Sequence, residues 1–310
     1  MDIYGDFLEK LTRMSEKNPK MNLKNFVDHE LSRFYEGVLM QHQQTNKDAN
    51  LDGIDDLLKK FNNQSLKKTI TLNYYFDHVY VLNLDRRPDR LEKMRKSLAK
   101  VGIYNWTRFK AIDGKDSPHY DEWSNYRRTR MTFAEKSRFN RKAIGSAGSW
   151  AILKSTYLMI KDAMKNKYKN FLVLQDDMLF HKNFVEEFLK IPATVPSNWK
   201  ILYLGATQHN WNHCEFRSQY YFPMGTADGA FAVGLHHSTY KDMLDEIMKF
   251  DMPVDSGALK TLQRKYGRQA LALTPNLMIA DIRDSDLRKS RDLNAYSKRF
   301  RWNIKLYDLS

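Results

Sequence analysis

Residues 78–112 constrain the fold more than any other part of the sequence, because they predict a strand, a helix and a second strand in close succession. His78 to Leu84 (HVYVLNL) is the β-branched and aromatic run typical of a strand. Pro88 suits the first turn of a helix, and Gly102 suits the left-handed residue that ends one. The second strand is predicted from Trp106 to Ile112. A β-α-β unit indicates a parallel sheet with a right-handed crossover, and therefore an α/β fold.

A further buried strand ends in carboxylates. Phe171 to Leu174 (FLVL) is apolar and is followed directly by Gln175, Asp176 and Asp177. Open α/β sheets bind their ligands at the carboxyl ends of the strands, so acids in this position predict a ligand or metal site. The alternative is that the two aspartates only open a loop or cap the segment that begins at Phe180.

The first strand ends beside three arginines. Arg86, Arg87 and Arg90 lie within five residues, at the start of the predicted helix. Guanidinium groups beside a helix N-terminus favour an anionic nucleotide, although a solvated basic turn would show the same pattern. Residues 121–142 are also basic and lack strong periodicity. They predict either a mobile loop beside a phosphate site or a merely solvated surface.

The remaining pattern places two domains in the chain. Residues 1–62 carry apolar stripes at helical spacing, interrupted by a loop from Gln41 to Gly53. We expect residues 1–70 to form a helical appendage that packs on the main domain or on a second copy, so that a homo-oligomer could form through these helices. Residues 71–310 are expected to form the main domain. Its later predicted elements are strands at Lys200–Leu204 and Gly229–Val233, a helix capped by Ser238, a helix that starts at Pro253-Val254-Asp255 and ends at Gly267, and a short strand at Leu271–Leu273.

Composition narrows the setting and the partners. The net charge is +14, and residues 1–70 hold 11 basic and 11 acidic residues, so the whole surplus lies on the main domain. That surplus favours an anionic partner: a sugar nucleotide, an anionic lipid surface or a nucleic acid. Cys214 is the single cysteine, which excludes an intramolecular disulfide and a Cys-rich zinc site. With no apolar run long enough to span a bilayer, we expect a cytoplasmic protein, at most peripheral at the membrane.

The ordered set of motifs resembles the family 25 glycosyltransferases, which include lipooligosaccharide biosynthesis enzymes and procollagen galactosyltransferases. The motifs that carry the resemblance are VYVLNLDRRPDRLEKM, AIDG, IGSAGSW, FLVLQDDM, KILYLG, PVDSG and SDL, between about Tyr74 and Leu287. The resemblance implies a GT-A fold, in which a Rossmann-like nucleotide-binding half and an acceptor half share one continuous, mostly parallel sheet. It also implies transfer of a hexose from a UDP-sugar with inversion, usually with Mn²⁺ or Mg²⁺.

The same resemblance implies roles for individual residues. Asp177 is expected to bind the metal directly, and Asp176 to bind the ribose or the metal through water. The preceding family position is commonly Glu and is Gln175 in this chain, a neutral oxygen donor that could weaken metal binding. Asp286 lies in the family's terminal Ser-Asp and could close over the donor as a further metal ligand; ion pairing of Asp284 and Asp286 with Arg283 and Arg288 is the alternative. The positions expected to bind the nucleotide are Asn83, Asp85, Arg86, Arg87, Arg90, Asp113 and Asp176.

An inverting transfer needs a group that takes the proton from the attacking hydroxyl. Asp255 of PVDSG is the first candidate and Asp228 the second, while helix capping is the alternative role for Asp255. A glycan or a lipid-linked glycan is the expected acceptor. A hydroxymethylated base, flipped out of DNA, is a second hypothesis drawn from the basic charge. A non-catalytic protein that binds a sugar nucleotide is a third, drawn from Gln175.

Overall fold

A computed structural model of the protein describes residues 75–309, apart from 104–105, 133–135, 137–142 and 287–289. The helical appendage predicted for residues 1–70 lies outside this part of the chain. Much of the basic segment after residue 130 also lies outside it. The main domain predicted from residue 71 onward can therefore be followed almost from its beginning.

The described residues form the following elements. The strands are β1 His78–Asn83, β2 Thr107–Lys110, β3 Asn170–Gln175, β4 Met178–Phe180, β5 Ile201–Gln208, β6 Glu215–Phe216, β7 Tyr220–Phe222, β8 Ala227–His236, β9 Ala270–Leu273 and β10 Met278–Ala280. The helices are α1 Pro88–Lys100, α2 His119–Thr129, α3 Ala147–Lys165, α4 Phe184–Leu189, α5 Ile191–Thr194, α6 Tyr240–Ile247, α7 Lys260–Tyr266 and α8 Leu293–Phe300. A π-helical turn, Asp255–Leu259, leads into α7.

One mixed sheet organises the domain, with its strands in the order β2-β1-β3-β8-β5-β9-β7-β6. Strands β1, β2 and β3 are mutually parallel, as are β5 and β9. Strand β8 lies between β3 and β5 and is antiparallel to both. Strands β1, β2, β3, β5 and β9 therefore all run in one direction, opposite to β8. The predicted mostly parallel α/β sheet is therefore confirmed. Strands β4 and β10 form a separate antiparallel pair.

Different helices cover the two faces of the sheet, and alternate residues of β1 pack against each set. Its residues alternate between faces: Val79 and Val81 pack with Met94 and Leu98 of α1, whereas Tyr80 and Leu82 pack in the cluster that contains α3 and α6. Leu98 is fully buried, which contributes roughly 1.5–3 kcal/mol relative to an exposed side chain. A strand that is apolar on both faces is what a sheet covered on both sides requires.

Three local predictions need correction. Residues 121–129 of the presumed loop belong to α2, because Trp123 and Tyr126 pack one helical face toward α3 and acidic residues occupy its first turn. Strands β5 and β8 are longer than predicted, since each pairs along most of the other's length. Ser238 does not cap α6; it lies in a short 3₁₀ turn, and the side chain of His236 accepts the hydrogen bond from its backbone N–H.

The topology brings the functional residues to one edge of the sheet. The ends of β1, β3 and β5 share this edge, and β8 begins there because it runs the other way. The backbones of β5 and β10 pack closely together, because a Cβ at Gly205 of β5 would lie only 2.0 Å from the carbonyl oxygen of Met278. The sites predicted at Asn83, Asp176 and Asp228 therefore face the same side of the molecule.

Candidate active site

Asn83 and Asp176 join the ends of β1 and β3. The Nδ2 of Asn83 donates to Asp176 Oδ2 at 2.6 Å and to the backbone oxygen of Arg87 at 2.9 Å. Both side chains are buried, with residue exposures of 1% and 8%. Burial raises the pKa of Asp176, and the hydrogen bond from Asn83 and the charge of Arg90 offset only part of that rise. A buried hydrogen bond between Asn83 and Asp176 therefore connects the ends of β1 and β3.

Arg90 is the centre of the electrostatic network. Pro88 begins α1, so that Arg90 lies in its first turn with only 8% of the residue exposed. Its Nη1 lies 3.2 Å from Asp176 Oδ1 and 3.2 Å from Asp286 Oδ2. The same atom lies 3.9 Å from Asp177 Oδ2. One guanidinium thus links the end of β3 to the segment that follows β10.

Arg86 and Arg87 extend this network. Arg86 forms ion pairs with Asp113, just beyond β2, and with Asp286. Arg87 pairs with Asp89, Asp284 and Asp286. Of the two arginines considered as alternative partners of Asp284 and Asp286, Arg283 binds Asp281 at 2.7 Å, and Arg288 lies outside the described residues. The predicted phosphate-binding arginines and the terminal Ser-Asp are thereby brought together.

The network is rich in carboxylates. Three guanidiniums face six carboxylates, those of Asp89, Asp113, Asp176, Asp177, Asp284 and Asp286. Such an excess of acid attracts cations, and it would repel a diphosphate if no cation were bound with it. The arginines by themselves do not neutralise the site.

The hydrogen-bonding capacity of Asp177 is not fully satisfied by the described residues. Its Oδ1 is buried and has no hydrogen-bond partner among the described residues, although 19% of the side chain remains exposed. Burial raises the pKa of Asp177 to about 7, and Arg90 offsets only part of the effect. An unpaired carboxylate oxygen that faces a hydrophilic edge is a ligand that Mg²⁺ or Mn²⁺ would accept. The donor set fits a divalent cation, yet the described residues contain no cluster of three or more His, Cys, Asp or Glu arranged as a metal centre.

Asp85 lies at the border of the site. Its side chain is 54% exposed and pairs with Arg108 and Lys110 of β2. Arg108 also donates from Nε to Asn83 Oδ1 at 2.9 Å, so it connects Asp85 to the buried junction. Arg108 was not predicted from the sequence as a site residue. Its position in β2, the strand that pairs with β1, is the signal that could have indicated it.

Asp228 and Asp255 belong to a second cluster at the same sheet edge. Asp228, near the start of β8, lies 2.7 Å from Lys260 Nζ and 2.8 Å from His209 Nε2. Burial by itself would raise the pKa of Asp228, but hydrogen bonds from His209 and Lys260 outweigh it and lower that pKa. Asp255 begins the π-helical turn, where its Oδ1 accepts from the backbone N–H of Ser256 at 2.7 Å.

Tyr203 connects the two acids of this cluster. The tyrosine is fully buried, and its hydroxyl accepts a hydrogen bond from Gln263 Nε2 at 2.8 Å. Burial raises the pKa of Tyr203, and the charges of Asp228 and Asp255 raise it further. Both carboxylates therefore act on one buried hydroxyl. His209 and Lys260 were missed from the sequence, because nothing in their spacing links them to Asp228.

The fold and this edge define the class of protein. A mostly parallel α/β sheet flanked by helices, with arginines and carboxylates gathered at its carboxyl edge, is consistent with a GT-A-like glycosyltransferase. Residues 76–227 match the model of the family described as Glycosyltransferase family 25 (LPS biosynthesis protein). The resemblance seen in the motifs is thereby confirmed: residues 76–227 form a family 25 glycosyltransferase region.

Two curated proteins are similar to part of the chain. The "Procollagen lysyl hydroxylase and glycosyltransferase" of Acanthamoeba polyphaga mimivirus is 28% identical over 131 residues, which is 40% of this chain and 14% of that protein. A "Glycosyltransferase 25 family member" of Drosophila melanogaster is 24% identical over 131 residues, 42% of this chain and 21% of that protein. The chain thus spans only a small part of either relative. Separately, no helix among the described residues is both long and apolar enough to cross a membrane.

Proposed function

We propose that the protein transfers a hexose from a UDP-sugar to a hydroxyl group of a glycan or glycolipid, with inversion and with the help of a divalent cation. The observation that carries the proposal is Asp177 Oδ1, a buried carboxylate oxygen that has no partner among the described residues, on a side chain that faces Arg90. A metal diphosphate would satisfy both features. The reaction class follows from the family, and the donor and cation are the proposed refinement.

The arginines support a nucleotide diphosphate as the donor's charged part. Arg86, Arg87 and Arg90 lie at the N-terminal end of α1, where backbone N–H groups and the helix dipole also favour anions. Asn83, Asp113 and Asp176 would hold the nucleoside side of the donor, and Asp85 would position Arg108 against Asn83. In this proposal, all of these residues bind a single ligand, the sugar-nucleotide donor.

The cation would be held by Asp177 directly and by Asp176 directly or through water. Asp286 is proposed as a further ligand, because a cation could replace its arginine partners and leave those arginines free for the phosphates. When bound, the ion neutralises the charge that develops on the leaving diphosphate. The neutral Gln175 at the end of β3 adds no charge to this set.

The transfer also needs a proton acceptor on the side of the incoming hydroxyl. In an inverting displacement the acceptor oxygen attacks the anomeric carbon, the bond to the diphosphate breaks, and the acceptor proton passes to a base. Asp255 and Asp228 both belong to the cluster around Tyr203, which lies at the same sheet edge as the arginines. That cluster is proposed to supply the base.

The donor can be tested by calorimetry and by UDP release. With Mn²⁺, either UDP-galactose or UDP-glucose should bind and be hydrolysed slowly without acceptor, and Asp177→Ala should abolish the hydrolysis. Asp245→Ala, which changes an exposed acid on α6, should leave it unchanged. If neither sugar nucleotide binds, the proposal is wrong. Binding without any UDP release in the presence or absence of acceptor would instead favour a non-catalytic sugar-nucleotide-binding protein.

The acceptor can be identified by mass spectrometry of transferred product. A suitable panel holds lactose, a lipooligosaccharide core, a hydroxylysine peptide and duplex DNA with hydroxymethylated bases. Addition of one hexose to a saccharide would support the proposed acceptor. Transfer to the DNA alone, with a steep dependence on salt, would replace the glycan with a nucleic acid.

A further inference from the structure

We propose that His209, oriented by Asp228, is the base that takes the proton from the acceptor hydroxyl. This inference deepens the proposed function and rests on it. It assigns a role to a residue that neither the motifs nor the family match single out.

His209 is held in one orientation. It follows the last residue of β5, and its Nε2 lies 2.8 Å from Asp228 Oδ2. A carboxylate only accepts hydrogen bonds, so Nε2 carries the hydrogen and the lone pair lies on Nδ1. A carboxylate that fixes the tautomer of an imidazole in this way is how a histidine base is prepared in many enzymes. Lys260, 2.7 Å from Asp228 Oδ1, favours the ionised carboxylate.

The basic nitrogen is available to a substrate. The side chain of His209 is 24% exposed, and its ring packs edge-on against Phe300 at 5.0 Å. Within the described part of the chain, Nδ1 has no hydrogen-bond partner. The ring is therefore fixed on one side and open on the other.

The neighbours of His209 offer hydrogen bonds that the protein does not use. The Oε1 of Gln208 and the Nε1 of Trp211 are both buried, and neither has a partner among the described residues. The amide of Gln208 is held in place, since its Nε2 donates to the backbone oxygen of Asn210 at 2.9 Å. One orphan atom is an acceptor and the other is a donor. The chain next to His209 is therefore polar and incompletely paired within the described residues.

The two aspartates are less suitable as bases. Asp228 has its oxygens within 2.8 Å of His209 and Lys260, and a carboxylate stabilised in this way is a weak proton acceptor. One oxygen of Asp255 is bound to the N–H of Ser256 within its own turn. His209 is the member of the cluster whose chemistry and access fit proton abstraction.

The resulting step balances. The acceptor O–H gives its proton to His209 Nδ1, and the oxygen forms a bond to the anomeric carbon of the hexose. The bond between that carbon and the diphosphate oxygen breaks, and its electron pair leaves with UDP. Asp228 stays ionised and stabilises the imidazolium through Nε2–H.

The test compares two nucleophiles on the same donor. UDP release from UDP-galactose and from UDP-glucose is measured with Mn²⁺ in water and again with sodium azide. Water must lose a proton when it attacks, whereas azide is already an anion. His209→Gln keeps a side-chain N–H donor for Asp228 but removes the proton acceptor. We expect its water-dependent UDP release to fall roughly 100-fold or more, while azide-dependent release and donor affinity by calorimetry stay within about threefold.

Each other outcome overturns the inference. If His209→Gln hydrolyses the donor at the wild-type rate, His209 is not the base. If water and azide reactions fall by the same factor, its role is structural. His213→Gln is the matched control, since His213 is an exposed histidine in the adjacent turn and should change neither rate. Failure of the wild-type protein to bind either donor would count against the proposed function itself and is distinguishable from both results.

Discussion

Arg90 Nη1 lies 3.2 Å from Asp176 Oδ1, and both side chains are about nine-tenths buried, at 9% and 10% exposure. Two charges removed from water to this extent depend on each other, because each compensates for the lost hydration of the other. The same guanidinium also faces Asp177 and Asp286. The integrity of the site therefore depends on a single side chain of α1.

Arg90→Lys tests that dependence. Lysine is a point charge and cannot reach the same set of carboxylates, so we expect the free energy of unfolding to fall by about 1–3 kcal/mol. The affinity for a UDP-sugar should fall at least tenfold. Urea unfolding and calorimetry measure the two effects. Arg95→Lys on the same helix is the control, since Arg95 is 59% exposed and its pair with Glu92 should contribute little.

Asp177→Asn tests the link between the cation site and stability. Burial raises the pKa of Asp177 to about 7, whereas an unfolded aspartate titrates at about 4. Between these values the folded protein retains a proton that the unfolded chain releases, so its free energy of unfolding falls as the pH rises from about 4 to about 7. In EDTA, wild type should lose about 1–3 kcal/mol more than Asp177→Asn between pH 5 and pH 8. Parallel stability curves would contradict this.

Mn²⁺ should stabilise the wild-type protein more than Asp177→Asn. A cation that binds Asp177 stabilises the folded state by mass action and should raise the thermal midpoint of wild type. Asp177→Asn should show little response to Mn²⁺. An equal rise in both proteins would place the cation elsewhere.

Lys260→Met tests the ion pair behind the second cluster. The pKa of Asp228 is lowered in the folded protein, so its ionisation stabilises the fold above about pH 4, and this contribution is lost as the pH falls through the lowered pKa. We expect the variant to lose about 1–3 kcal/mol at pH 7 and the difference from wild type to shrink at acidic pH. A difference that does not depend on pH would indicate lost packing instead. Lys265→Met removes a more exposed pair and should cost less than about 1 kcal/mol.

Gly205→Ala tests the close approach of β10 to β5. The added Cβ would lie 2.0 Å from Met278 O and 2.8 Å from the ring of Phe231, so the backbones must separate. Overpacking of this kind destabilises by about 1–3 kcal/mol. Gly145→Ala is the control, because a Cβ there meets nothing within 4 Å. Urea unfolding should separate the two variants clearly.

The sequence predicted those parts of the fold that depend on local pattern. The β-α-β unit at 78–112 was recognisable because strand composition, Pro88 and Gly102 act over a few residues, and Gly102 indeed adopts φ 77°. Helix α2 was missed because its stability depends on contacts of Trp123 and Tyr126 with residues far along the chain. The length of β8 was missed because it is set by its two partner strands.

The candidate site also contains residues that the sequence predicted and residues that it did not. Strand ends locate Asn83, Asp176 and Asp177, since a parallel sheet brings its carboxyl ends to one edge. Side-chain partners follow from three-dimensional packing. His209 reaches Asp228 from the residue after β5, and Lys260 reaches it from a helix, so no local spacing predicts the cluster.

Strand β8 has a consequence for any attempt to shorten this protein. It hydrogen-bonds to β3 along one side and to β5 along the other, yet it begins at Ala227, where the family match ends. A fragment cut at that boundary would leave β3 and β5 each with an open, apolar edge, which is a template for aggregation. Residues up to 236 are therefore needed to complete the sheet whose carboxyl edge carries Asn83 and Asp176.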